Sequence, residues 1–214
     1  MIRLVTFEGG DGTGKSTQIH ALESYLGKAG RSCMVTREPG GTALGTAIRK
    51  VLLEVGEHAI ASSTELFLYL ADRSQHVHEI ILPAIGAGKI VLCDRFTDST
   101  LAYQGYGRGL DLARLRQLND MASGETRPDL TFLLDCPVEF GLARTALRRA
   151  QFATGAGQED RFEREEIDFH QKIRAGFLEL ARAEPRRFRV IDASQPIEEV
   201  SAAIRRIIDQ ELLQ

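Results

Sequence analysis

The chain has 214 residues, 43% of them hydrophobic and 27% charged, and a formal net charge of −3. That balance suits a globular protein of one domain, 1–214, and its lack of basic excess leaves nucleic acid outside the expected partners. No apolar run approaches the ~20 residues that cross a bilayer, so no membrane partner is expected and the expected location is cytoplasmic.

The first strand is read at residues 3–7, β-branched and apolar as a buried parallel strand should be. Behind it comes Gly9-Gly10-Asp11-Gly12-Thr13-Gly14-Lys15-Ser16-Thr17, which fits G-x-x-x-x-G-K-[ST]. Residues 18–26 then carry Ile19, Leu22 and Leu26 at helical spacing, completing the strand–loop–helix context this phosphate-binding motif needs. The glycines let backbone N–H groups close around phosphate oxygens, and the helix start adds partial positive charge. Lys15 can reach the terminal phosphates of a nucleotide, and the Ser16 hydroxyl can ligate Mg²⁺.

A second strand at 33–36 runs into Thr36-Arg37-Glu38-Pro39-Gly40-Gly41-Thr42, a turn by its Pro-Gly-Gly, and a helix follows at 44–53 with Arg49 on it. Helical spacing next covers 64–81, where Phe67, Tyr69 and Arg73 are candidates for a ligand face, Tyr69 and Arg73 standing at i and i+4. On that helix His76 and His78, at i and i+2, do not share a face and are not expected to chelate. The third strand, 90–93, ends in Asp94-Arg95. An acid at that position downstream of a phosphate loop is a Walker B carboxylate able to hold Mg²⁺, and Arg95 adds a cation. Ligands of parallel sheets bind beyond the carboxyl ends of the strands. Arg37 and Arg95 should therefore aim into one crevice, joined by Arg49 if its helix packs over it, as a guanidinium cluster suited to phosphate.

Further helices are expected at 112–122, 138–149 and 197–213, and further strands at 130–134 and 188–191. Residues 150–160, rich in small residues and flanked by Arg148, Arg149 and Arg161, read as a loop between two helices that is either slack or a lid, the lid region spanning about 148–163. Alternating β and α segments predict a doubly wound, five-stranded parallel sheet with helices on both faces, a three-layer α/β/α P-loop fold. The cysteines Cys33, Cys93 and Cys136 include no C-x-x-C pair and lie in or beside strand-like runs, so buried thiols are expected rather than a disulfide or zinc. The basic run Arg186-Arg187-Phe188-Arg189 reads as a solvated lead-in to the last strand, and His170 receives no chemistry.

Several phrases together carry a resemblance. Phe7-Glu8 with the loop that follows, Thr36-Arg37-Glu38-Pro39-Gly40-Gly41, Asp94-Arg95-Phe96 and Ala102-Tyr103-Gln104-Gly105 resemble the bacterial thymidylate (dTMP) kinases. So do Arg127-Pro128-Asp129-Leu130-Thr131, Asp160-Arg161-Phe162-Glu163 and Phe169-His170-Gln171-Lys172-Ile173-Arg174, nearly end to end. The resemblance implies transfer of the γ-phosphoryl group of Mg·ATP to dTMP, giving dTDP and ADP. It implies ATP phosphates on Lys15 and the loop Gly9 to Thr17, and the dTMP phosphate among Arg37, Arg49 and Arg95. It places an aromatic stacking residue at Tyr69 and a thymine O4 donor at Arg73, with Thr100 and Gln104 on the other base edge. Tyr103 would crowd the ribose 2′ position, and Phe96 stands where Tyr or His is commoner. Asp11 either helps position dTMP or caps the loop or the helix behind it. Arg144 either stacks on adenine beside the turn Asp192-Ala193-Ser194-Gln195-Pro196 or is a surface residue. No arginine lies within the phosphate loop, so the resemblance is to the class with the catalytic arginine in the lid. The candidates are Arg148, Arg149 and Arg161, of which Arg161 fits its motif best. Homodimers are common in the family. Two other readings stay open: a related nucleoside or nucleoside monophosphate kinase with another pyrimidine acceptor, and a nucleotide-dependent switch.

Overall fold

A computed structural model describes residues 2–53, 60–151, 162 and 165–212. Five parallel strands, β1 (Leu4–Glu8), β2 (Cys33–Arg37), β3 (Ile90–Asp94), β4 (Leu130–Asp135) and β5 (Phe188–Asp192), lie in the order β2-β3-β1-β4-β5. The register sets Phe7 beside Asp94 and Arg37 beside Asp94, so β1, β2 and β3 end level with one another. The inner strands are buried along their length and the two edge strands only in part, which is why the inner ones read as unbroken apolar runs.

One sheet face is covered by α1 (Lys15–Lys28) and α9 (Ile197–Leu212). Ile19, Leu22 and Leu26 meet Val200, Ile204 and Ile208 over Val5, Phe7, Leu92 and Phe132. Both helices repeat their apolar residues at three or four, so each buries a single stripe. The opposite face holds α3 (Ser62–His76), α4 (Leu82–Gly86), α6 (Leu112–Ser123) and α8 (Ile167–Ala183). There Leu66 and Leu70 join Phe169, Ile173 and Phe177, while Val77, Ile81 and Phe96 cover Leu4, Val91 and Cys93. The expected three-layer architecture is therefore present. The remaining helices are α2 (Ala43–Leu53), α5 (Thr97–Thr100) and α7 (Val138–Gln151).

Some boundaries differ from the sequence reading. The helix expected over 64–81 continues past Pro83 to Gly86, through a wider π turn at Val77–Ile81. Pro83 follows that π turn directly, where the helical hydrogen-bond ladder changes register. Residues 97–107, for which no helix was expected, are α5 followed by a π-helical turn, Leu101–Gly107. Cys93 and Cys136 are buried, whereas Cys33 on the edge strand is half-buried.

Candidate active site: two anion-binding halves of one crevice

The phosphate loop is shaped by its glycines. Gly12 has φ +72°, and a Cβ there would lie 1.9 Å from the Gly141 carbonyl oxygen of α7, so only glycine fits against that helix. Gly14 takes the N-cap of α1 in the left-handed conformation and no side chain caps the helix, which leaves its first N–H groups for an anion. Asp11 therefore does not cap α1. Lys15 Nζ donates to the carbonyls of Gly9 at 3.1 Å and Gly10 at 2.7 Å. Burial, with Arg95 nearby, lowers its ammonium to about 8. Ser16 Oγ donates to Asp94 Oδ2 at 2.9 Å, bringing the two expected metal ligands together.

Arg95 stands directly opposite. Its backbone has φ 69°, a conformation rare outside glycine. Glu8 holds that turn: it accepts from Phe96 N at 2.7 Å and from Ser99 Oγ at 2.6 Å. Burial, with Asp98 adding to it, pushes the Glu8 carboxyl up to about 8. The Arg95 guanidinium donates to Gly9 O at 3.0 Å and to Asp11 Oδ1 at 2.6 Å, and it lies 4.9 Å over the Tyr103 ring. Tyr103 OH also donates to Asp11, at 3.3 Å. Burial alone would raise the Asp11 carboxyl, but Arg95 and Lys15 hold it below its ordinary value. Lys15 and Arg95 thus donate to the same Gly9 carbonyl. Two cations from distant segments meet at one point.

A cavity of about 260 Å³ opens there, and Lys15, Ser16, Asp94, Arg37, Arg49 and Arg95 all line it. Arg37 is exposed and makes no hydrogen bond or ion pair with a described residue, whereas Arg49 donates to Pro39 O at 2.9 Å. Tyr69, Arg73, Thr100, Tyr103 and Gln104 line the same cavity. Phe67 does not: it is 60% exposed, because it stands two positions from Tyr69 and faces away. Thr100, Tyr103 and Gln104 fall on one helical face at i, i+3 and i+4, a spacing the sequence displays although it is not expected to be helical there.

Arg73 is almost wholly buried, its guanidinium fixed by Glu38, Thr100, Asn119 and the Phe96 carbonyl at 2.6–3.0 Å. Its Cζ lies 5.3 Å from the centre of the Phe96 ring, which lines the same cavity. The sequence assigns His76 no chelating role and no other chemistry. In the structure its Nδ1 is 2.9 Å from Glu38 and its Nε2 2.6 Å from Thr36, all buried. Those partners are 38 and 40 residues away, so no local pattern could announce them. The basic run before β5 is likewise not simply solvated: Arg187 grips Asp98 through both terminal nitrogens, at 2.6 and 2.9 Å.

A second groove borders the loop on its other side, lined by Gly14, Thr17, Arg144, Arg148, Ala193 and Gln195 among others. Arg144 donates to Ala193 O at 2.9 Å and lies 4.3 Å over Phe140, so it joins the turn after β5 and is not a plain surface residue. Arg148 lines both openings. Arg161 lies outside the described residues, as does the side chain of Arg149.

A phosphate loop facing a pocket of arginines defines a P-loop kinase that acts on a small phosphorylated acceptor. The family model for thymidylate kinase matches residues 7–204. The chain belongs to the thymidylate kinase family. It is 55% identical to thymidylate kinase of Desulfovibrio desulfuricans, over 96% of this chain and 94% of that one. It is 54% identical to that of Geotalea uraniireducens, over 94% and 93%. The crystal structure of thymidylate kinase from Ehrlichia chaffeensis matches with a TM-score of 0.76 at 33% identity, covering 97% of this chain and 98% of that one.

Proposed function

We infer that the chain moves the γ-phosphoryl group of ATP onto dTMP, giving dTDP and ADP. The observation that carries this is the meeting of Lys15 and Arg95 on the Gly9 carbonyl, which sets a donor cation and an acceptor cation side by side. A phosphate oxygen of dTMP attacks the γ-phosphorus, the bond to the bridging β-oxygen breaks, and its electron pair leaves with ADP. The nucleophile is already an oxyanion, so the protein's task is alignment and charge neutralisation.

Each residue then has a task. The loop from Gly9 to Thr17 holds the ATP phosphates through backbone N–H groups, with Lys15 on the terminal ones. Arg144 borders the adenine, next to the turn after β5. Arg37, Arg49 and Arg95 take the acceptor phosphate, and Asp11 fixes the direction in which Arg95 points. Tyr69, Arg73, Thr100 and Gln104 surround the base, and Tyr103 closes the sugar side. The cation for the transferring group comes from the segment 148–163, with Arg161, Arg149 and Arg148 its candidates.

Mg²⁺ is the metal the donor set suits: a hydroxyl and a carboxylate oxygen 2.9 Å apart, both hard ligands facing the crevice. Ser16 and Asp94 would hold it, and bound there it neutralises charge on the ATP phosphates. The homodimer of the family is carried as part of the proposal, supported by Leu44, Val51 and Phe67, 51%, 54% and 60% exposed on α2 and α3. A monomer by light scattering at assay concentration would refute it. Among the described residues no helix is long and apolar enough to cross a membrane, and a cytoplasmic place is proposed accordingly.

Coupled ADP release, with and without acceptor, tests the reaction. Turnover that requires dTMP, and exceeds that with dUMP, UMP, CMP or dAMP, supports it. Slow turnover indifferent to acceptor would instead identify a nucleotide switch.

A further inference from the structure

Glu65 is wholly buried on α3, yet no part of the reaction above uses it. Its Oε1 accepts from Gln104 Nε2 at 2.8 Å. Its Oε2 lies 3.4 Å from Arg108, which also pairs with Glu165 at 2.6 Å. Gln104 is itself buried and lines the acceptor cavity.

A side-chain amide has a donor end and an acceptor end of nearly the same shape, and its neighbours decide which way it faces. A carboxylate only accepts. Glu65 therefore draws the NH₂ group of Gln104 to itself and leaves the amide oxygen for the cavity. On the neighbouring positions the polarity is opposite. Four of the five Arg73 N–H groups are taken by Glu38, Thr100, Asn119 and Phe96, leaving one on Nη2. The Thr100 hydroxyl accepts from Arg73 at 2.9 Å and keeps its own hydrogen to give. The wall thus offers an acceptor flanked by donors.

Thymine presents the complement, an N3–H donor between two carbonyl oxygens. Cytosine presents N3 as an acceptor and an amino group in place of O4, so both would meet like polarity. We propose that Glu65 is a specificity-determining positioning residue: by fixing the Gln104 amide, it makes the pocket accept thymine-type bases and reject cytosine. The proposal rests on the dTMP kinase reading and adds to it the reason for base choice.

Glu65→Gln is nearly isosteric and leaves Arg108 its partner Glu165, but its own amide can meet Gln104 either way round. The ratio of kcat/KM for dTMP to that for dCMP should fall at least about tenfold, since a mispaired buried polar group is what enforces such selection. KM for ATP should stay within about threefold, as the donor half is untouched. Glu65→Asp keeps a group that only accepts and should retain more of the ratio than Glu65→Gln. A parallel loss on both nucleotides, with the ratio unchanged, would overturn the proposal, because that is what loosened packing alone produces. Should Glu65→Gln not fold, wild-type protein still tests the acceptor: dTMP methylated at N3 should bind at least about tenfold more weakly than dTMP, and equal binding would overturn it. Failure of wild type to make dTDP would defeat the underlying reading instead, and the two failures are distinct.

Discussion

The two halves of the crevice are made in different ways. The half proposed for the donor is mostly backbone: a nine-residue loop, one lysine and the free end of α1. The half proposed for the acceptor is side chains held by other side chains: Arg73 by Glu38 and Asn119, Gln104 by Glu65, and Arg95 by Glu8 and Asp11. A local motif can specify the first completely. The second is assembled from segments far apart in sequence, so its geometry depends on buried groups such as Glu8, Glu65 and Asn119 that do not themselves line the cavity.

That contrast can be broken most sharply at Glu38. Glu38→Leu would leave the buried Arg73 guanidinium without its carboxylate, and stripping one partner from a buried pair costs ~3–5 kcal/mol. Thermal unfolding should show a loss of that size, and a change under ~1 kcal/mol would mean the acceptor half does not depend on buried support. Lys15→Ala tests the other half. Phosphoryl transfer should fall by ~10²–10³, as when one preorganised charge-stabilising group is removed, while dTMP affinity stays within about threefold. An equal fall in dTMP affinity would mean that the halves are not separable.

The pH dependence of stability sharpens the comparison further. Burial, with Glu38 nearby, pushes the Asp72 carboxyl up to about 6, and its Oδ2 has no partner within the described residues. The folded state therefore holds this proton more tightly than the unfolded chain. The resulting stability is present in full below pH 3.8 and is lost as pH rises through about 6. Measured against Asp72→Asn by denaturant unfolding, wild type should lose of order 3 kcal/mol across that window. A difference independent of pH would contradict the raised value. The smallest effect on stability is expected at Arg37, exposed and unpaired among the described residues. Arg37→Ala should shift unfolding by no more than ~0.5 kcal/mol and still raise KM for dTMP by ~10-fold or more. An unchanged KM would remove Arg37 from the acceptor site.

The same division decides what could be read from the sequence. The phosphate loop, Asp94 and the inner strands were legible because the chemistry and burial of each lie within a few consecutive residues. Arg37 and Arg95 were legible through one topological rule, that residues ending neighbouring parallel strands share a crevice. Glu38, His76, Asn119 and Glu65 were not, since each acts through a partner 35 to 46 residues away and carries no periodic signature. Phe67 and Tyr69 show the converse difficulty. Two aromatics on one helix look alike as text, and only the packing of α3 turns one into the cavity and the other out.

The claim that both nucleotides lie head to head in one crevice can be tested with a single compound, adenosine and thymidine joined through five phosphates. Steady-state inhibition by that molecule should be competitive against ATP and competitive against dTMP, since it fills the space beside Lys15 and the space beside Arg95 together. Competition against only one substrate, with the other binding undisturbed, would place the two phosphate sites apart and contradict the account.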